Sequence, residues 1–297
     1  MVYNETKEVR GRKYYYRAKS VKRDKKTAKE RVYLGVNLTN AELTKKIKEA
    51  DKQLNLFETV LNADEITFLE NLKKEFSKEP KENYENRYES FCSLFAYDST
   101  GIEGNTLTLS ETSHLLFEGI VPSARSLREI NEVLNHKKAF DYLMAFKGDL
   151  TREFILNLHQ LVVINTLRED LSKYAGKYRK VQVFVGGSTP PSAAEVPSLM
   201  ASLLRWHSKN KNKLHPLVLA TYFHAEFERI HPFVDGNGRV GRLLINFILH
   251  RGNLPMINIP KKRRLAYYES LRRAHSGNYR SFIDLLISLL KKGKLRF

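Results

Sequence analysis

Twelve residues, His231 to Arg242, read HPFVDGNGRVGR and gather an imidazole, a carboxylate, a Gly-Asn-Gly run and two arginines three positions apart. An apolar helical pattern ends just before them, and another, RLLINFIL, begins inside them. A glycine-bearing loop that opens a helix offers backbone N–H groups and the positive end of the helix dipole to an anion. Gly236 and Gly238 let the backbone curl and approach a phosphate closely. Asp235 is a hard oxygen ligand suited to the magnesium that accompanies a polyphosphate. Arg239 and Arg242 lie one helical turn apart and can clamp phosphate from one side. His231 is the group here that can accept a proton near neutral pH. A lone histidine before proline is most often a helix end. The joint occurrence of base, carboxylate, anion loop and two arginines reads as phosphate transfer.

The rest of the chain must position that loop. Its 297 residues suffice for one large domain or two smaller ones. A net charge of +18 favours anionic partners: nucleotides, nucleic acid or acidic protein surfaces. Cys92 is the only cysteine, which excludes an intramolecular disulfide and a thiolate metal cage and fits a reducing, cytoplasmic setting. No run approaches the length of a membrane span, and the charged N-terminus lacks a signal-peptide pattern.

Residues 1–36 read as a small β-hairpin: YYYRAKSV and RVYLGV are strand-like, and KRDKKTAK between them is a basic tip. From Lys7 to Arg31, twelve Lys/Arg stand against three Asp/Glu. Basic residues interleaved with tyrosines could hold nucleic acid; a solvated hairpin packing its tyrosines on the body is preferred. A helical region, 37–80, follows, opened by the capping-box pattern TNAE and closed by Pro80. Residues 81–297 then read as mainly helical. In the first helix there, Tyr84, Tyr88, Phe91, Phe95 and Ile102 recur on one face, and Gly104 and Asn105 signal its stop. Glu103 therefore sits at a helix C-terminus, where a carboxylate opposes the dipole and calls for a cation. VQVFV, Val181 to Val185, is the one convincing strand of this region and an edge able to receive an extended peptide.

HPFVDGNGRVGR resembles the signature loop of the Fic (filamentation induced by cAMP) family, and STGIEGN, Ser99 to Asn105, resembles that family's inhibitory motif. The resemblance spans about two-thirds of the chain, from Tyr84 to Leu290. It implies a helical bundle with a short β-hairpin flap and transfer of AMP from ATP, with Mg2+, to a Ser, Thr or Tyr hydroxyl of a target protein. By position it makes His231 the general base and Asp235 the magnesium ligand. Gly236, Asn237 and Gly238 become the anion hole, Arg239 a phosphate contact, and Tyr268 a nucleotide contact. Arg242 meets either the γ-phosphate or, at rest, Glu103 of the Ser99–Glu103 motif. The segment KVQVFVGG matches the flap that aligns the target. At one position some relatives carry Asn where this chain has His275.

Three rival readings stand beside this one. Glu103 could position a water that removes AMP from a modified protein, with His231 as acid. His224, Glu228 and His231 share helical spacing and could hold a hydrolytic metal, although Pro232 draws His231 out of the helix. Residues 7–31 could make the chain a basic nucleic-acid binder. Self-modification and a homodimer stay open.

Overall fold

The computed structural model describes residues 2–23, 26–55, 61–78, 80–186 and 189–292, which divide into two compact units, 1–62 and 63–297. The first unit is an antiparallel sheet, β1 (Val2–Val9), β2 (Arg12–Arg23) and β3 (Lys26–Val36) in that order, followed by α1 (Asn40–Asn55). The hairpin expected from sequence is thus a three-stranded sheet. β1 escapes a periodicity reading because VYNETKEV is polar at most positions. What fixes it is the turn: Arg10 and Gly11 both take positive φ (51° and 72°), the two-residue geometry whose twist matches antiparallel strands. Part of the basic tip, residues 24–25, lies outside the described residues. Thr39 caps α1 reciprocally with Glu42, as the TNAE pattern predicts. The helix is held on the sheet by Arg17, whose guanidinium grips Asp51 at 2.7 and 3.1 Å.

The second unit is helical: α2 (Ala63–Phe76), α3 (Tyr84–Ile102), α4 (Leu109–Ser113), α5 (Leu127–Ala145), α6 (Arg152–Val163), α7 (Val196–Asn210), α8 (Pro216–Ile230), α9 (Asn237–Arg251), α10 (Arg264–His275) and α11 (Arg280–Lys292). The nearly all-apolar run RLLINFIL makes α9 the central helix, buried from Val240 to Leu249. It packs against α8, with α5 and α6 on one side, while α10 and α11 cover α8. Phe91, Phe95, Phe140, Phe154, Phe223, Phe227 and Phe233 fill the spaces between helices and are all buried. Each such ring contributes roughly 1.5–3 kcal/mol of burial. Polar pins fix what the apolar core cannot orient. Asn246 on α9 exchanges two hydrogen bonds with the Ile257 backbone, and buried Asp98 on α3 accepts from Lys261 N. Among the described residues no helix is long and apolar enough to cross a membrane.

The flap departs from its sequence expectation. Instead of a regular strand over Val181–Val185, the described segment carries one bridge residue, Val185. The returning chain contains Pro190 and Pro191, which have no N–H to give a ladder. The Gln182 carboxamide bonds Val183 O and Pro190 O in its place. The second glycine of the flap, residue 187, lies outside the described residues.

The core is rich in buried histidines, and this sets a pH dependence. Burial pushes His136 and His224 down to about 3, and His159, His207, His215 and His231 down to about 4. The unfolded chain protonates such rings near 6.5, so their stabilisation is present above that pH and is lost as pH falls toward 4. Glu228 acts oppositely: burial raises it to about 8, so its contribution is present below 4.5 and lost as pH rises through 8. Six rings outweigh one carboxyl on the acid side. The urea midpoint, measured from pH 4 to 8.5, is expected to peak at about pH 6.5–7 and to fall more steeply toward acid.

Candidate active site

The site grows from the way α8 ends. Pro232 disfavours the helical region for the residue before it, and His231 takes the left-handed conformation (φ 50°). That backbone costs on the order of 1–2 kcal/mol for a side-chain-bearing residue and needs support. Arg179, 1% exposed, gives it. Its guanidinium donates to His231 O (2.8 Å), Val181 O (3.1 Å), Pro191 O (2.5 Å) and Ile230 O (3.4 Å), and its own N–H donates to Pro232 O. One buried cation thus joins the histidine's turn to both arms of the flap. Sequence reading missed it, because a single Arg in a basic chain carries no local signal.

His231 is held as a neutral ring. Burial depresses its pKa to about 4, Arg179 adds to the effect, and the Glu228 backbone opposes it. Its Nδ1 lies 3.8 Å from Glu228 Oε2. Burial raises Glu228 to about 8, so the carboxyl beside the imidazole is mostly protonated at neutral pH. In the rival metal set, His224 Nε2 bonds the Tyr267 hydroxyl at 2.7 Å. Among the described residues no three His, Cys, Asp or Glu side chains gather as a metal site.

The loop after His231 closes on itself. Asn237 accepts from Phe233 N and donates to Phe233 O, both at 2.9 Å, and is buried. Its carboxamide therefore holds the loop's shape, and its backbone N–H lies at the start of α9. Gly236 takes φ 80° and starts α9. At Gly238 a Cβ would stand 2.2 Å from Glu103 Oε1, so only glycine lets that carboxylate rest on the helix start. Asp235 accepts from Gly236 N, from Arg239 Nη2 (3.2 Å) and from Arg128 Nη2 (3.4 Å), and its side chain is 37% exposed. Arg239 is 2% exposed, yet its Nε and Nη1 have no hydrogen-bond acceptor; Glu132 Oε1 stands 3.7 Å from Nη1. Buried, unsatisfied guanidinium donors facing an anion-type loop fit a phosphate oxygen.

Arg242 is the second clamp, 2% exposed. Its Nε donates to Ser99 Oγ (3.0 Å), and its Nη2 donates to Ser99 O (2.8 Å) and Glu103 Oε1 (2.7 Å). The structure thus brings together Ser99, Glu103 and Arg242, the last of which lies 139 to 143 positions from the others in sequence. Tyr268 stands 43% exposed at the rim. Its neighbour Tyr267, which carries no signal of its own in the sequence, is buried with its ring 5.9 Å from the Arg242 guanidinium. His275 bonds Ala225 O and faces inward. A shallow cavity of about 330 Å³ lies beside the C-terminal end of α3, lined by Gly101, Gly104 and the cations Lys261, Lys262 and Arg264. On the flap, Phe184 is 79% exposed.

Comparison with known proteins adds a lineage to this geometry. Residues 149–249 match the Fic/DOC family. The chain is 38% identical over 200 residues to a protein adenylyltransferase Fic of Drosophila persimilis, covering 66% of this chain and 39% of that protein. The counterpart from Drosophila melanogaster is also 38% identical, with 40% of it covered. The chain therefore spans about two-fifths of the length of these curated relatives. Among solved structures, a Fic-domain signaling protein from Bacteroides thetaiotaomicron superposes with a TM-score of 0.68 at 29% identity, over 76% of this chain and 93% of that one. Fic-1 from C. elegans gives 0.66 at 27% identity, over 86% and 75%.

Because Arg179 both supports the His231 backbone and lowers its pKa, Arg179→Met is expected to raise the pH at which the His231 ring titrates. NMR titration of that ring against the parent checks it; an unmoved midpoint would show that Arg179 does not act on the ring.

Proposed function

We propose that this chain, whose residues 149–249 match the Fic/DOC family, transfers AMP from ATP to a Ser, Thr or Tyr hydroxyl of a protein, with Glu103 as an intramolecular brake. The observation that carries this reading is the 2.7 Å pair between Glu103 and Arg242 at the mouth of the His231 loop. A buried arginine suited to phosphate is held by a carboxylate from another helix, so phosphate and carboxylate compete for one guanidinium.

The loop's chemistry follows from its groups. The hydroxyl oxygen of the target attacks the α-phosphorus of ATP as its proton passes to His231. The bond from that phosphorus to the bridging oxygen breaks, and pyrophosphate leaves. A ring titrating near 4 is in its accepting form at neutral pH. Nδ1 lies toward Glu228, so the proton is taken at Nε2. Arg239 and the backbone N–H groups at the start of α9 meet the charge that grows on the phosphate. Asp235, partly exposed and already facing cations, suits Mg2+. When bound there, that ion neutralises the polyphosphate and orients it. Tyr268 at the rim contacts the nucleotide. A target chain aligns along Val181–Val185, where Phe184 offers an exposed apolar anchor. A single, buried cysteine, Cys92, supports a reducing cytoplasmic setting.

A second reading rests on the position of Glu103 over Gly238. A carboxylate there can orient a water toward a phosphodiester and so remove AMP from a modified protein. Incubating AMP-modified target with this protein and Mg2+, then assaying for free AMP, tells the directions apart.

Glu103→Gly is expected to raise self-labelling or target labelling by ATP well above the parent. Adding His231→Ala should lower that labelling by about 10²–10⁴-fold. Intact-mass spectrometry after incubation with ATP, GTP, UTP and CTP separately names the nucleotide added. If Glu103→Gly labels no more than the parent, the brake is not this residue.

A further inference from the structure

The Asp235 carboxylate has two unlike oxygens. Oδ1 is tied into the loop, accepting from Gly236 N at 2.6 Å and from Arg239 Nη2 at 3.2 Å. Oδ2 accepts from Arg128 Nη2 at 3.4 Å, a donor 107 positions away in sequence. Arg239 is buried, whereas the Arg128 side chain is 57% exposed. The Arg128 guanidinium also donates through Nε to Glu132 Oε1 at 3.1 Å, and Glu132 Oε2 accepts from Asn105 Nδ2 at 3.0 Å. Arg128 is thus anchored at its Nε, while its outer nitrogen rests on the carboxylate oxygen that the loop leaves open.

The helix itself gains little from an arginine at this place. Arg128 lies in the first turn of α5, where the positive end of the dipole disfavours a cation. Its partner Glu132 follows it by four residues, the weaker order for such a pair. Ser126 and Glu129 already cap the helix reciprocally. An exposed ion pair at 3.4 Å adds little stability either. A cation set against its local preference, and reaching the carboxylate of an anion loop, marks a position kept for function.

We propose that Arg128 is a further phosphate contact of this site, held at rest on Asp235 and released to the polyphosphate when a divalent cation takes Oδ2. The inference rests on the reading of Asp235 as the Mg2+ ligand. Guanidinium and metal compete for one oxygen, because both are positive and a bound Mg2+ stands about 2.1 Å from its ligand. A cation bridging carboxylate and phosphate also brings a phosphate oxygen to within roughly 4 Å of Oδ2. Arg128 already stands at that range, so its freed Nη donors meet an anion after a small rotation. Glu132 keeps Nε and limits the swing. Arg239 then holds phosphate from the buried side and Arg128 from the exposed one. At rest, the two groups that ATP with its metal needs are each engaged by an opposite charge: Arg242 by Glu103 and Asp235 by Arg128.

The test measures binding alone, with the full chain as parent, Arg128→Gln, Arg125→Gln and Asp235→Asn. All titrations run at about 300 mM KCl, so that distant charges are screened. Mn2+, a hard-cation stand-in for Mg2+, is titrated without nucleotide and followed by loss of the free-ion EPR signal. Inorganic pyrophosphate is titrated by calorimetry at saturating Mg2+; Glu103 competes for Arg242 equally in each protein, so the ratios are unaffected. Arg128→Gln is expected to bind Mn2+ about two- to fivefold more tightly, the competing ion pair being gone. The same variant should bind pyrophosphate about three- to tenfold more weakly, having lost a charge-assisted donor at an exposed position. Arg125→Gln removes a charge from the same end of α5, where Arg125 pairs with Glu111, and should shift neither affinity. Asp235→Asn should lose Mn2+ binding. An unchanged affinity of Arg128→Gln for either ligand overturns the proposal. So does Arg125→Gln reproducing both shifts, or a parent that does not bind pyrophosphate saturably. If the parent binds no Mn2+, or Asp235→Asn binds it equally well, the reading of Asp235 falls and the proposal with it. If Asp235→Asn loses Mn2+ while Arg128→Gln matches the parent, the proposal alone falls. None of these outcomes depends on AMP transfer.

Discussion

A guanidinium with 2% of its surface exposed, that of Arg242, organises the second unit. A buried cation is tolerated when carboxylate, carbonyl and hydroxyl oxygens replace its water. Here Ser99 supplies the hydroxyl and carbonyl and Glu103 the carboxylate. Burial works against the charge and Glu103 more than offsets it, leaving the pKa above its ordinary value. Three elements must converge for this: the last turn of α3, the second turn of α9, and α10 carrying the Tyr267 ring. The requirement also fixes what can displace Glu103. A neutral group would leave the charge short of a partner; an anionic oxygen would not. Glu103 is about a third exposed on its side chain, and water lowers the cost of its leaving.

The His231 turn is the complementary case, where the charge is kept off the reactive group. Its ring is neutral because it is buried, because Arg179 adds positive potential, and because its carboxyl neighbour Glu228 is itself raised by burial. Arg179 also directs its donors to carbonyls at both ends of the flap and at the end of α8. The segment that would align a target and the turn that would deprotonate it are therefore parts of one hydrogen-bonded object. A displaced flap would reach the base through the bonds of one side chain.

The loop, the helices around it and the Glu103–Arg242 pair are legible in the sequence because their signals are local or motif-bound. The two glycines, the Asp-to-Arg spacing and the Ser99-to-Asn105 run each sit within a dozen residues, and Thr39, Thr151 and the α3 apolar face follow one-turn rules. What is not legible depends on partners far along the chain. The Arg179 guanidinium finds acceptors up to 52 positions away, and Tyr267 meets His224 across 43. β1 is fixed by its turn and not by its own alternation. The flap fails as a strand because the residues that should pair with it are prolines. Asn237 escapes for a different reason. That both ends of its carboxamide are used on Phe233 is a matter of how the loop folds back, which residue type alone does not show.

The anchoring of α3 determines how the proposed brake at Glu103 would open. Just before Glu103, Asp98 is held by Lys261 N and the Asn258 carboxamide, and Thr100 Oγ1 bonds Ala96 O. Just after it, the Asn105 carboxamide donates to Glu129 O and to Glu132, and Asn105 N donates to Thr100 O. The backbone is thus pinned on both sides within a few residues of the carboxylate. Between the pins, Gly101 and Gly104 flank the residue, and Gly104 at φ 106° is open on its Cβ side. Melting the last turn of α3 would break buried bonds at Asp98 and Asn105 together. Rotating the Glu103 side chain breaks one ion pair that water already reaches. The less costly motion is the rotation, so on the proposed reaction ATP and the brake exchange at Arg242 while the helix stays formed. Glu132 extends the same frame, since it holds Asn105 and Arg128 and stands 3.7 Å from Arg239. The end of α3 is therefore pinned by its neighbours, and the carboxylate of Glu103 is left as the part free to move.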